Sequence, residues 1–193
     1  MTGNDQLYSF VLKGLLTEES LDKAGRKNRS EIALSDEAIA ATLSLDLLPS
    51  DLVANARSMA VIYTAVAAFE NAVRELISGV LLENYGEGWW EQCVSQNVRG
   101  RAEKRAEEER KIKWHTQRGV NPINYTTMAD LVNVMRNNWD HFEPHVRSID
   151  WVASVFDAVE RSRNVIMHSG ILEQGDIERL GVFLRDWVKQ VGA

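Results

Sequence analysis

The residues with the clearest chemical content are Arg163 and His168, in the run Arg163-Asn164-Val165-Ile166-Met167-His168 closed by Ser169-Gly170. Arginine stays charged at any working pH, whereas imidazole titrates near neutrality. The pair therefore offers a fixed cation and a proton carrier. The apolar residues leading into it, Val152, Phe156, Val159 and then Ile166, step by four and three with Arg163 on the same line. This spacing predicts the inner stripe of a helix, with a guanidinium where a leucine is expected. Such a placement is costly unless a carboxylate or a phosphate meets the charge.

A second helix supplies the candidate carboxylate. Leu52, Ala56, Met59, Tyr63, Val66, Glu70, Val73, Ile77 and Val80 repeat the alternation through the longest apolar stretch. Glu70 is the one charge on that seam, and Arg74 follows one turn later. Two seams, each broken by one charge of opposite sign, are expected to face each other with Glu70 against Arg163. A buried structural ion pair accounts for these two residues as well as a functional site does.

Spacing also limits what one copy of the motif can do. Five helical residues turn through 500°, so Arg163 and His168 project about 140° apart, while Asn164 and His168 share a face. Convergence needs the helix to end early or a second copy of the chain to contribute.

The elements that position these residues are helical throughout the reading. Residues 5–16 carry Leu7, Val11 and Leu15 on one line, Lys23 to Arg29 is polar and basic, and Ser35 before Asp36-Glu37 predicts an N-cap for a helix to about Ser44. Pro49-Ser50-Asp51 starts the next helix, with Ser50 as its expected cap. It runs to about Glu83, roughly 50 Å, and stops near Tyr85-Gly86. Gly86-Glu87-Gly88-Trp89-Trp90 reads as a turn with two indoles used for packing, with base stacking as the functional alternative.

From Arg99 to Lys113, Arg99, Arg101, Lys104, Arg105, Arg110, Lys111 and Lys113 face Glu103, Glu107, Glu108 and Glu109, a net of +3. Pairs at i,i+3 and i,i+4 predict a solvated helix, with a phosphate-tracking arm as the functional alternative. Thr127-Met128-Ala129-Asp130 predicts a capping box opening a helix through Leu131, Val134, Met135 and Trp139. His141 and His145 have metal-pair spacing, but Pro144 between them breaks the helix that would aim both, so no metal is expected there. Ser148 caps the motif helix, which is expected to end at Gly170 in a left-handed C′ position. A last helix from Gly175-Asp176 carries Ile177, Leu180, Leu184, Trp187 and Val191 on one face. Without strand alternation or repeats, the fold class is all-α: an N-terminal helical arm over 1–47 and a helical-bundle domain over 48–193.

Composition sets outer bounds. The 193 residues are 45% hydrophobic and 26% charged, enough for one core with an appendage. Cys93 is the single cysteine, so no intramolecular disulfide forms and a reducing compartment fits. No basic region leads into an apolar run at the start, and the uncharged stretch Ser58 to Phe69 is too short to span a bilayer, so a cytoplasmic protein without membrane association is expected. The net charge of −6 argues against a broad nucleic-acid platform but leaves room for a local positive cleft.

Several of these segments together carry a resemblance. Phe69-Glu70-Asn71-Ala72-Val73-Arg74-Glu75-Leu76-Ile77, then Tyr85-Gly86-Glu87-Gly88-Trp89-Trp90, then Asn138-Trp139 with Phe142-Glu143-Pro144, precede Arg-Asn-x-x-x-His in that order. The combination resembles the HEPN superfamily, in the branch named after the Swt RNA endonuclease, from about Ser58 to Val188. The resemblance implies an antiparallel helical bundle and a homodimer in which two motifs meet across a two-fold axis. It implies RNA cleavage without metal or other cofactor: the 2′-hydroxyl attacks the adjacent phosphorus, leaving a 2′,3′-cyclic phosphate and a 5′-hydroxyl. In that scheme His168 moves a proton, Arg163 binds the scissile phosphate, Asn164 holds imidazole or phosphate, and Glu70 orients Arg163. Arg74 and Arg161, with Lys104 and Arg105 in the charged stretch, are the candidate RNA contacts.

One departure concerns control. HEPN toxins governed by a nucleotidyltransferase carry a tyrosine two residues after the histidine, where this chain has Gly170, so that regulation is not expected. Another protein regulator stays open. Two functional readings follow: a dimeric endoribonuclease of RNA surveillance or phage defence, or a HEPN module that binds RNA or protein with a vestigial site.

Overall fold

In the computed structural model, residues 35–192 are described, together with Lys13, Thr17 and Ser20. The chain divides into two compact units, Met1–Val53 and Ala54–Ala193. In the first unit, α1 spans Asp36–Thr42 behind the expected cap, with Ala38 N–H donating to Ser35 Oγ at 3.2 Å. The expected helix over 5–16, apart from Lys13, and the basic segment Lys23 to Arg29 lie outside the described residues.

The spine is α2, Ser50–Tyr85. Its 36 residues measure about 54 Å. Ser50 is its first helical residue rather than its cap; the Pro49 carbonyl accepts the first intrahelical bond, from Val53. Met59, Val66, Phe69, Val73, Ile77, Val80 and Leu81 are buried, whereas Leu52 and Tyr63, expected on the same seam, are exposed. The span Ser50–Cys93 is long and apolar enough to cross a membrane by length and composition alone, unlike the shorter interval between Arg57 and Glu70. Only 17% of that apolar window is buried, although the seam from Met59 to Leu81 packs into the core.

Gly86 turns the chain at φ 68° into a 3-10 turn, and α3 (Trp89–Cys93) follows. The α4 helix is Gln96–Arg110, capped by Ser95. A 3-10 turn at Pro122–Tyr125 leads to α5, Met128–Asn137, which opens with the full capping box between Thr127 and Asp130. Asn138 stops α5 before Trp139, because its side-chain amide turns to the carbonyls of Cys93 and Val134. The short α6 is Trp139–Phe142, α7 is Ile149–Met167 and α8 is Gln174–Val191. No strand occurs among the described residues, and the fold is all-α.

In the second unit α7 runs antiparallel to α2: Arg163 meets Glu70, and beyond the helix end Leu172 N–H donates to Met59 Sδ at 3.4 Å. Val152, Val155, Phe156, Val159 and Ser162 form its buried stripe. Serine takes the core position and Arg163 sits at the edge, half-buried. This differs from the expected line, and the physical reason is that the rim costs a guanidinium far less than the centre. Phe69 and Phe156 pack edge-on and both meet Trp187 of α8, which stacks on Trp151 at 6.1 Å. Trp89 and Trp90 lie edge-to-face with each other, partly buried against the core, and serve as packing groups.

The end of α7 departs from expectation. Ser169, not Gly170, takes the left-handed conformation, at φ 60°. Ser169 N–H donates to the Ile166 carbonyl and Gly170 N–H to that of Val165, a Schellman closure with His168 as C-cap. Gly170 is needed for clearance instead: a Cβ there would lie 2.7 Å from Val165 Cγ1.

A buried carboxylate ties α4 to α5. Asp130 receives Arg101 on Oδ1 and Arg105 on Oδ2, the latter at 3.1 Å, while Oδ2 also caps Thr127 N–H. Burial pushes its carboxyl upward, but the hydrogen bonds from Arg101, Thr127 and Arg105 outweigh that and hold it below the usual range. A lowered carboxyl contributes stability above its unfolded value, near 3.9, that is lost as pH falls through the folded one. Asp130→Ala is expected to cost about 2–4 kcal/mol at pH 7, measured by urea unfolding, with the deficit shrinking toward pH 3.

Candidate functional site

The site is assembled around Glu70, which comes from the middle of α2 and is 14% exposed in its side chain. Its Oε1 forms an ion pair with Arg163 Nε at 3.3 Å, and its Oε2 accepts from Arg74 Nη2 at 3.2 Å. One carboxylate thus holds two guanidiniums from two helices. Arg74 is further bound, with Nη2 donating to the Thr126 carbonyl at 3.4 Å and Nη1 to Asn71 Oδ1 at 3.5 Å. Its Nε is buried without a partner among the described residues. Arg163 is 40% exposed, and beyond this ion pair its guanidinium makes no hydrogen bond among the described residues.

These residues face a cavity of about 490 Å³ lined by Tyr63, Glu70, Asn71, Arg74, Arg118, Asn124, Thr126, Thr127, Met128, Glu160 and Arg163. The lining is polar and carries three arginines against two carboxylates. Glu160 lies one turn before Arg163 on α7. Burial raises its carboxyl, the attraction of Arg163 works against this, and the negative neighbours Glu70, Asp157 and Asp130 reinforce it.

The remaining sequence candidates are dispersed. Asn164 and His168 are exposed, neither lines the cavity, and neither side chain makes a hydrogen bond among the described residues. Because α7 stays helical to Met167, the angular separation of Arg163 and His168 persists. Arg161 is exposed and paired with Asp157 at 2.8 Å. Lys104 is exposed on α4 outside the cavity. Arg105 is committed to Asp130 and, at 2.7 Å, to the Tyr125 carbonyl. The charged stretch therefore contributes fastening more than free cations: Arg99 Nε is also spent, on the Val94 carbonyl, and Arg110 on Glu103.

Sequence reasoning left out Tyr63, Asn71, Arg118, Asn124 and Glu160 as site residues. Glu160 had a legible signal, one turn from the motif arginine, and Tyr63 stood on the expected seam of α2; Arg118 and Asn124 come from a loop whose position no periodicity marks. His141, far from this cavity, bonds Tyr85 Oη at 2.9 Å through Nε2. Among the described residues no cluster of three His, Cys, Asp or Glu side chains has metal-binding geometry.

The antiparallel all-α bundle, with a paired motif arginine at the rim of a polar cavity, defines a helical domain built to present a cation and a histidine near one helix end. The family model for Swt1-like HEPN matches residues 64–192, the greater part of the chain. The chain belongs to the Swt1-like HEPN family, and this membership supports a ribonuclease or nucleotide-related role in general terms. No curated protein and no solved structure gives a match.

The raised carboxyl of Glu160 makes stability depend on pH. A carboxyl held above its unfolded value near 4.3 keeps its proton longer in the folded state, so stability declines as pH rises through that interval. Glu160→Gln is expected to match the parent Tm below about pH 4 and to gain on it progressively toward pH 7. Thermal unfolding at several pH values checks this, and a pH-independent offset would contradict it.

Proposed function

We propose that the chain is an endoribonuclease that needs no metal and works as a homodimer, with a composite site built from two copies of the 163–168 motif. The observation that carries the reading is the Glu70–Arg163 contact. It turns Arg163 Nε inward and leaves Nη1 and Nη2 for a ligand, in a chain of the HEPN family. A guanidinium so held is oriented before substrate arrives, which favours bidentate binding of a phosphate and of the charge that develops on it.

In the proposed reaction the ribose 2′-hydroxyl loses its proton and its oxygen bonds the neighbouring phosphorus. The bond to the 5′-oxygen breaks, and that oxygen takes up a proton. The products are a 2′,3′-cyclic phosphate and a 5′-hydroxyl. The imidazole of His168 serves one of the two proton transfers, and its counterpart on the second protomer serves the other. Asn164, on the same face as His168, steadies the imidazole or the phosphate.

Two features support the second copy. Arg163 and His168 do not share a wall within one chain, so a site using both from one protomer is incomplete. The helix end also exposes apolar side chains around the histidine: Val165 at 39%, Met167 at 53% and Ile171 at 59%. Such a patch beside polar groups fits a buried two-fold contact.

The other reading, a binding module with a vestigial site, draws on the same separation and on the net charge of −6. RNA surveillance and phage defence are the settings proposed for the nuclease, and a protein regulator fits either reading.

Purified protein incubated with end-labelled RNA in EDTA is expected to yield cyclic-phosphate ends. His168→Ala and Arg163→Ala should each lower the rate at least about 100-fold. His168→Ala should keep the parent Tm, whereas Arg163→Ala should lose some stability by leaving Glu70 with one partner. Full activity in both variants would refute the nuclease assignment and favour the binding module.

The dimer is tested separately. The parent is expected to sediment as a dimer at micromolar concentration. Met167→Glu, at an exposed position next to His168, should give a folded monomer that cuts at least about 100-fold more slowly, having lost the partner's proton carrier. A monomeric parent with full activity would refute the composite site.

A further inference from the structure

The cavity contains more than the motif chemistry uses. Its wall opposite Glu70 and Arg163 is the loop between α4 and α5, represented by Arg118, Asn124, Thr126 and Thr127. This loop is closely built. The Glu109 carboxylate accepts both Arg118 N–H, at 3.2 Å, and Arg118 Nε. The Arg118 guanidinium carbon sits 5.8 Å from the centre of the Tyr125 ring, and Tyr125 Oη donates to the Gly119 carbonyl at 3.1 Å. A Cβ at Gly119 would come 1.9 Å from Asn124 Nδ2, so the glycine lets Asn124 fold against the Arg118 segment. Arg105, fixed by Asp130, anchors the far end through the Tyr125 carbonyl.

The hydrogen bond to Glu109 occupies Arg118 Nε and leaves its Nη1 and Nη2 without partners among the described residues, while Arg163 approaches Glu70 through Nε as an ion pair. Two guanidiniums, each beside a carboxylate, thus line one cavity, one from α7 and one from the loop. The volume of about 490 Å³ lies in the range of small-ligand sites. Tyr63 of α2 and Asn124 of the loop add a ring, a hydroxyl and an amide to the same cavity. An amide offers both donor and acceptor to a base edge, and an aromatic ring offers a stacking face.

We propose that this cavity is a nucleotide subsite for single-stranded RNA, immediately next to the phosphate held by Arg163. Arg118 takes the neighbouring phosphate through Nη1 and Nη2. Asn124 and Tyr63 receive the intervening base, which makes Asn124 a specificity-determining residue. Glu109 behind Arg118 and Glu70 behind Arg163 offset much of the charge, so the subsite recognises geometry, and its share of the salt dependence is that of one phosphate. The proposal rests on the ribonuclease reading and adds the residues that choose where the strand is cut.

The test uses the full chain carrying His168→Ala, so that RNA binds without being consumed. Binding of a fluorescent single-stranded RNA is followed by anisotropy between 50 and 200 mM KCl. Adding Arg118→Ala is expected to weaken binding about 10-fold and to reduce the slope of log K against log salt by about 0.7, the single-strand value for one phosphate. Arg118→Lys should retain that slope. Arg179→Ala, which removes the same charge from an exposed position outside the cavity, should stay within about twofold of the parent. Asn124→Ala, placed in the active chain, should change the base preference at one position beside the cut, read by sequencing the ends.

Circular dichroism and Tm establish that each variant is folded. Parent-like affinity and salt slope in Arg118→Ala, with cleavage intact in the active chain, would overturn the subsite alone. Absence of any RNA binding by the His168→Ala chain, together with absence of cleavage by the parent, would overturn the ribonuclease reading and the subsite with it.

Discussion

The structure of the site depends on one carboxylate shared between two guanidiniums. Glu70 is the only acidic group on the buried seam of α2, and its two oxygens are divided between Arg163 and Arg74. The contact registers α7 against α2, because the antiparallel pair can place these groups together in one alignment only. It also sets which part of Arg163 faces the cavity. Removing Glu70 would leave two partly buried cations without their common partner, which costs more than the pair contributes when intact. Structural and functional demands therefore fall on the same residue.

The same device appears a second time. Asp130 divides its oxygens between Arg101 and Arg105 and at the same time caps α5. This joins α4, the following loop and the start of α5 into one scaffold. The consequence for function is indirect but large. Arginines that look like a nucleic-acid-binding stretch are spent on fastening, and what they fasten is the loop that brings Arg118 to the cavity. Net charge along the chain was a poor guide to which cations face a ligand.

The end of α7 has a different character. The Schellman closure at Ser169 and Gly170 ends the helix sharply and leaves His168 at its C-cap among exposed apolar side chains. The arginine is paired with a carboxylate and the histidine is presented openly. In the proposed dimer this asymmetry is useful, since a fixed cation orients the phosphate while an unencumbered imidazole meets it from the second protomer.

What the sequence by itself determined is the periodic part of this protein. Helix class follows from the four-three spacing in α2, α7 and α8. The caps at Ser35, Thr127 and Ser148 follow from side chains that reach N–H groups three residues away, an interaction local in sequence. The Glu70–Arg163 pairing was also legible, because one charge of each sign interrupted two apolar seams. The tertiary structure alone decided that Ser162 rather than Arg163 takes the core position, since a stripe read at 3.6 residues per turn leaves one residue of ambiguity at its edge. It alone decided that Ser169 adopts the left-handed turn, and that Arg105 faces Asp130. Arg118 and Asn124 join the site only because a loop with no periodicity is folded over by contacts 9 and 6 residues apart, Arg118 to Glu109 and Tyr125 to Gly119, and by Arg105 from 20 residues away. Such contacts depend on where elements come to rest, and composition and spacing along one chain carry no record of that.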